Sequence, residues 1–255
     1  MLSEQFDAFL FDLDGTVYVG EELLPHARES LLRLRSSGKA IRFLTNDPRP
    51  TRAEVVRRLT RMGIETEHRE VFTSGWATAR HLRESGIGST YVVGSSGLVS
   101  EICHAGVEVI ESGQPEAVVV GGDESTCYRH LLRATRFILG GARFIATNAD
   151  GSYPAPEGPI PGAGAIVAAI EAASGKEPNV IVGKPNPYLF KLAIKSLDTD
   201  SKQVVMVGAN LATDISGAFE VGIAGILVKD APPLSSSYRP TPNAIIPDLS
   251  FLFER

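Results

Sequence analysis

The chain has 255 residues, enough for one large domain or two smaller ones, each with a buried core. Hydrophobic residues make up 43% and charged residues 22%, the balance of an ordinary soluble globular protein. A formal net charge of -5 argues against nucleic acid as a partner, because phosphate backbones call for clustered Lys and Arg; the arginines between Arg49 and Arg61 are broken by Glu54 and spaced like a solvated helix face.

The first predicted element is a buried strand over 8–13, a short apolar run ending in acids. Pro25 opens a helix whose apolar Ala27, Leu31 and Leu34 repeat at helical spacing, and Gly38 stops it. A strand over 40–45 and a helix over 51–62, closed by Gly63, come next. Further strands are predicted at 91–93, 117–120, 144–147, 180–182, 204–207 and 224–228. Helices are predicted at 76–85, 125–139, 163–173, 187–197 and 212–221. The segment 151–164 reads as a Pro- and Gly-rich loop, and 231–242 as a Pro- and Ser-rich tail along the surface before a last short strand at 244–246. Short apolar strands alternating with helices predict a doubly wound, mostly parallel sheet covered on both faces. Ligands of such sheets bind beyond the carboxyl ends of the strands.

Cys103 and Cys127 are not part of a CxxC pair and read as free thiols. The acidic start lacks the layout of a signal peptide, and no apolar run approaches the ~20 residues that span a bilayer. A cytoplasmic protein with no membrane partner is the expectation.

Four predicted strand ends carry chemistry: Asp12-Leu13-Asp14-Gly15-Thr16, Thr45-Asn46, Gly183-Lys184-Pro185, and Gly208-Ala209-Asn210 with Asp214 nearby. Residues two apart on a strand point the same way, so Asp12 and Asp14 can reach one site. Two close carboxylates raise one pKa unless a cation sits between them, and a hard cation such as magnesium suits them. One can then attack phosphorus while the other serves as general acid and base. Thr45 and Asn46 offer a hydroxyl, an amide and backbone donors to phosphate oxygens. Lys184 can neutralise a phosphoryl group. Taken singly, each has a plain structural reading: a turn, a helix cap, a surface lysine, a dipole-favoured Asp.

In this order, and beginning with Phe11-Asp12-Leu13-Asp14-Gly15-Thr16-Val17-Tyr18, the four segments resemble the four motifs of the haloacid dehalogenase superfamily. Asn148-Ala149-Asp150, Pro161-Gly162-Ala163-Gly164-Ala165 and Gly183-Lys184-Pro185 resemble its NagD-like branch, which includes p-nitrophenyl phosphatases. Spacing agrees: Thr45 and Lys184 are 139 residues apart, far more than a crossover or two requires. The resemblance implies a Rossmann-like core over 1–78 and 181–255, with an α/β cap inserted over 79–180. It also implies a small phosphorylated substrate and Mg2+. Asp12 would be the nucleophile and a metal ligand. Asp14 would be the acid and base, with its backbone carbonyl on the metal. Thr45, Asn46 and Lys184 would hold the phosphoryl group, and Asp214 would support the metal. Asn148 and Asp150 of the cap would face the substrate. Caps in this branch often mediate dimers, so a homodimer through the cap is an option the resemblance leaves open.

Two departures stand out. Asp47-Pro48-Arg49-Pro50 replaces a stretch that is polar and Ser-rich in relatives, and Ala209 stands where the family places a metal-binding Asp. The second makes a non-catalytic phospho-ligand binder the alternative to a phosphatase. A receiver-type signalling domain fits the acids, Thr and Lys but not the length. Pro185 rules out a Walker A loop, Gly162-Ala163-Gly164 lacks the third glycine of a dinucleotide fingerprint, and the five histidines form no metal pattern. Gly94-Ser95-Ser96-Gly97 reads as a structural turn.

Overall fold

The computed structural model describes residues 1–153, 155, 157–229 and 240–254; the expected surface course of 231–242 lies mostly outside the described residues. In chain order the strands of its two large sheets are β1 (Ala8–Phe11), β2 (Ala40–Thr45), β3 (Val71–Thr73), β4 (Ser89–Gly94), β5 (Glu108–Val109), β6 (Ala117–Gly122), β7 (Arg143–Ala146), β8 (Val180–Ile181), β9 (Val204–Gly208), β10 (Ala224–Val228) and β11 (Ala244–Ile246). Six form one sheet in the order β11-β10-β9-β1-β2-β3, and five form a second in the order β8-β7-β6-β4-β5. Every pairing within them is parallel.

β1, β6 and β9 are buried along their whole length, and they read as unbroken apolar runs because both faces of each sheet are covered. On one face Phe9, Phe11, Phe43, Val205 and Val207 pack with Leu31 and Leu34 of the helix Ala27–Ser36. On the other, Leu10, Leu44 and Met206 share a core with Val92, Val119 and Ile145 of the second sheet, joined through Ala77, Ala79 and Leu82 of the helix Ser74–Glu84. Val118, Val120 and Phe144 close the far side of the second sheet with residues of the helices Tyr128–Leu139 and Ala163–Ser174. This is a parallel α/β core with an inserted α/β cap. The chain enters the second sheet after β3 and leaves it after β8. Residue 79 lies inside the helix Ser74–Glu84, and residue 181 inside β8.

Register sets the site. Phe11 lies opposite both Val207 and Phe43, so β9, β1 and β2 end almost level. The acids after β1, the Thr-Asn at the end of β2 and the segment after β9 therefore emerge along one edge.

Several short elements have no counterpart among the predicted ones. β3 and β5 have three and two residues, too few to show a period. The helix Ser96–His104 begins on Ser-Gly where a plain turn is expected; the Ser95 hydroxyl accepts the Leu98 N–H and caps it. The predicted helix 212–221 starts as a π-helical turn, Leu211–Ile215, and continues as Ser216–Glu220. Both cysteines are free and exposed. Among the described residues no helix is long and apolar enough to cross a membrane.

Candidate active site

β1 delivers Asp12 to the sheet edge, where its N–H donates to Val207 O at 3.0 Å. Gly15 then adopts φ 83°, a left-handed turn that an L side chain resists, and the chain folds back so that its N–H meets Tyr18 O at 2.8 Å. Asp12 is 8% exposed and receives Thr16 Oγ1 at 3.4 Å.

Lys184, only 2% exposed, reaches the same point from beyond β8. Its Nζ donates to Asp12 Oδ1 at 2.6 Å, to Asp214 Oδ1 at 2.7 Å and to Leu44 O at 3.1 Å. All three ammonium hydrogens have acceptors, as a buried lysine requires. Burial alone would lower the pKa of this lysine, but the carboxylates of Asp12 and Asp214 outweigh it and hold the ammonium above the usual range. Burial, helped by the charge of Asp214, raises Asp12 above the usual carboxylate range against the pull of Lys184. Burial and the nearby Asp47 push Asp14 up to about 6.

Asn46 stitches the edge together. Its Oδ1 accepts the Lys184 N–H at 2.8 Å, and its Nδ2 donates to Lys184 O and to Asp150 Oδ2, both at 2.9 Å. The side-chain amide is thereby committed to Lys184 and Asp150. Asn46 O accepts from Asn148 Nδ2 at 2.7 Å and from Ser74 Oγ at 2.6 Å. Thr45 is buried, and its hydroxyl oxygen accepts the Asp47 N–H at 3.0 Å. Gly183 has to be glycine, because a Cβ there would sit 2.6 Å from Asn46 Oδ1.

These residues border a cavity of about 390 Å³ between the two sheets. Asp12, Asp14, Thr45, Asn46, Asn148, Asp150 and Lys184 all line it, as expected from their positions at strand ends. Asp214 does not; it is fully buried behind Lys184, and its Oδ2 accepts the Asn210 N–H at 3.0 Å. The sequence reading overlooks part of the wall: Asp123, Glu124 and Thr126 after β6, and Ser152 and Tyr153 in the hairpin that Ser152–Tyr153 forms with Ile160–Pro161. Asp123 to Thr126 also follow a strand end, the one signal that could have found them. Arg49 lines the wall too, its Nε and Nη2 on the two oxygens of Asp47 at 2.8 and 2.9 Å, and its guanidinium 4.2 Å from the centre of the Tyr153 ring.

Among the described residues no group of three or more His, Cys, Asp or Glu side chains could hold a metal ion by itself. Of the acids expected at the metal, Asp12 and Asp14 line the cavity, whereas both oxygens of Asp214 are already bonded, one to Lys184 and one to the Asn210 N–H, and Ala209 has no side-chain donor. Such an oxygen-only pair fits magnesium, which keeps several waters and is commonly held by one or two carboxylates plus substrate phosphate.

The sequence profile of haloacid dehalogenase-like hydrolases matches residues 9–108, and an HAD-hydrolase-like profile matches 181–251. Acid sugar phosphatases of Staphylococcus aureus are 36% identical over 227 residues, covering 89% of this chain and 87% of theirs. Among solved structures, a p-nitrophenyl phosphatase from Archaeoglobus fulgidus superposes with a TM-score of 0.88 at 30% identity, covering 96% of this chain and 97% of that one. NagD from E. coli K-12 gives 0.86 at 32%, covering 96% and 97%. A glycerol phosphate phosphatase from Mycobacterium tuberculosis in complex with magnesium gives 0.88 at 30%, covering 98% and 77%.

Proposed function

This chain belongs to the haloacid dehalogenase-like hydrolases, in their NagD-like branch, and from that premise we propose that it is a phosphatase of small phosphomonoesters working through an aspartyl-phosphate. Its substrate belongs to the sugar phosphate, nucleotide or p-nitrophenyl phosphate class. The observation that carries the reading is the buried Lys184 ammonium, 2.6 Å from Asp12 Oδ1, at a cavity bordered by both sheets.

An Asp12 carboxylate oxygen attacks phosphorus, the bond from phosphorus to the ester oxygen breaks, and Asp14 gives that oxygen its proton. Asp14 then takes a proton from water. The water oxygen bonds to phosphorus, the bond to Asp12 breaks, and inorganic phosphate leaves. The Thr45 hydroxyl holds a phosphoryl oxygen with the backbone at Asn46, the Lys184 ammonium answers the phosphoryl charge from beside Asp12, and Asp214 fixes Lys184 from behind. The raised pKa of Asp14 suits a group that must first donate a proton. Mg2+, held by Asp12 and Asp14, would add positive charge beside the phosphoryl oxygens. In this reading 1–78 and 181–255 are the catalytic core and 79–180 the cap, whose Asn148 and Asp150 seat it against Asn46.

Ala209 favours a second reading, a phospho-ligand binder without turnover, since it offers no side-chain donor at the position where the family resemblance implies a metal-binding Asp. Turnover of p-nitrophenyl phosphate with Mg2+ separates the two. The phosphatase reading expects hydrolysis that Asp12→Asn abolishes, because an amide cannot form the acyl phosphate. It expects Asp14→Asn to phosphorylate slowly and turn over poorly. Phosphate binding with no hydrolysis selects the second reading.

A further inference from the structure

Resting on the phosphatase reading, we propose that the cavity discriminates against phosphomonoesters that carry a second anionic group, because the Asp47–Arg49 pair leaves no cation among the described lining residues to receive one. Six of the described residues lining it bear carboxylates, and only Lys184 and Arg49 bear cations. Lys184 is shared between Asp12 and Asp214 and is kept for the phosphoryl group. Arg49 looks like a receptor for a second anion, but its charge is already answered. The two oxygens of Asp47 grip Nε and Nη2, Nη1 donates to Tyr153 OH, and the Tyr153 ring lies under the guanidinium. A carboxylate or second phosphate on the substrate would have to displace Asp47 from a two-pronged pair, or lie among acids with no free cation.

The wall contributed by the second sheet and its loops matches a neutral partner instead. Asp123, Glu124 and Asp150 supply acceptors, and Thr126 and Ser152 supply hydroxyls that both donate and accept. Substrate hydroxyls can donate to those carboxylates at no electrostatic cost, whereas an anion beside them meets like charge at close range. Ile160 and Ile166 give the carbon skeleton an apolar face.

Glycerol 3-phosphate and 3-phosphoglycerate test this, because they share a three-carbon skeleton and differ by a hydroxymethyl against a carboxylate. Calorimetric Kd and kcat/KM would be measured for both with Mg2+ at neutral pH. The expected result is at least tenfold weaker binding and lower kcat/KM for 3-phosphoglycerate. Asp47→Asn should free the Arg49 guanidinium and shrink that ratio severalfold, while Asp47→Glu should keep it; the ratio, not the rate, is the readout. Equal binding of the two by the unmodified protein overturns the proposal, and if both are hydrolysed equally the phosphatase reading survives. A tenfold preference in Kd without hydrolysis leaves the charge selection standing and sinks the phosphatase reading. Failure to bind either compound overturns both.

Discussion

A lysine ammonium this deeply buried is tolerable only while its acceptors stay in place. Lys184 sits between two carboxylates, so the triad carries one net negative charge in a place with almost no water contact. Lys184→Met would leave Asp12 and Asp214 facing each other without a counter-charge. The expected loss is about 3–5 kcal/mol, seen as a melting temperature lower by roughly 10 °C. Adding Asp214→Asn should recover part of it, because it removes the repulsion; no recovery would mean that the lysine acts through packing alone. Ala209 poses the opposite problem, a missing charge. Its Cβ lies 3.7 Å from where a Cβ on Gly15 would stand, so it faces the loop that carries Asp12 and Asp14. Loss of an outer partner of a metal ligand costs about 10- to 100-fold in affinity or activity, so a carboxylate at the position where the family resemblance implies a direct ligand should gain at least on the order of that. Ala209→Asp is therefore expected to tighten magnesium binding and raise turnover about 100-fold. A magnesium titration that finds neither the metal dependence nor the rate changed would place Ala209 outside the metal site.

At the scale of elements, the site depends on strands that end level and on small residues that let side chains pass. Gly208 closes β9, and a Cβ there would fall 2.3 Å from Asp214 Oδ2. Asp214 cannot swing aside, since Lys184 and the Asn210 N–H hold both of its oxygens. Gly208→Ala should cost about 1–3 kcal/mol by overpacking, with a loss of turnover as Asp214 is pushed from Lys184. Gly151→Ala, in open space, is the control and should melt with the unmodified protein. The strand ends were legible in the sequence because each buried strand is an apolar run that stops at a polar residue, as at Phe11-Asp12 and Leu44-Thr45-Asn46. That is enough to place Asp12, Thr45 and Asn46 at the cavity wall. Asp214 is a different case. Sequence position puts it near the metal, but only the fold shows that Lys184 claims its carboxylate. Tyr153 was illegible for a related reason. A two-residue strand in a Pro- and Gly-rich segment has no period, and its partner Arg49 lies 104 residues away.

On the scale of the whole molecule, polar links join the segments after the two sheets' strands, some at the cavity and some away from it. Asn148 Nδ2 reaches Asn46 O, Asp150 Oδ2 receives Asn46 Nδ2, the Ser95 hydroxyl donates to Arg49 O, and Glu101 Oε1 accepts the Arg52 N–H. A cap seated this way would shield the proposed acyl phosphate from bulk water, and its seating should control how substrate is held. Asn148→Ala isolates that effect. It removes one donor to Asn46 O, which the Ser74 hydroxyl still serves at 2.6 Å, and it removes the acceptor of the Asp150 N–H, held at 3.0 Å. The stability cost should therefore be about 1–3 kcal/mol, that of a lost hydrogen bond with one partner left unmet. Asp12, Lys184 and Asp214 keep every contact they have, so the chemical step has little reason to slow. KM should rise severalfold while kcat changes by less, and the melting temperature should fall by a few degrees. A collapse of kcat with KM unchanged would instead mean that Asn148 acts on the phosphoryl group itself.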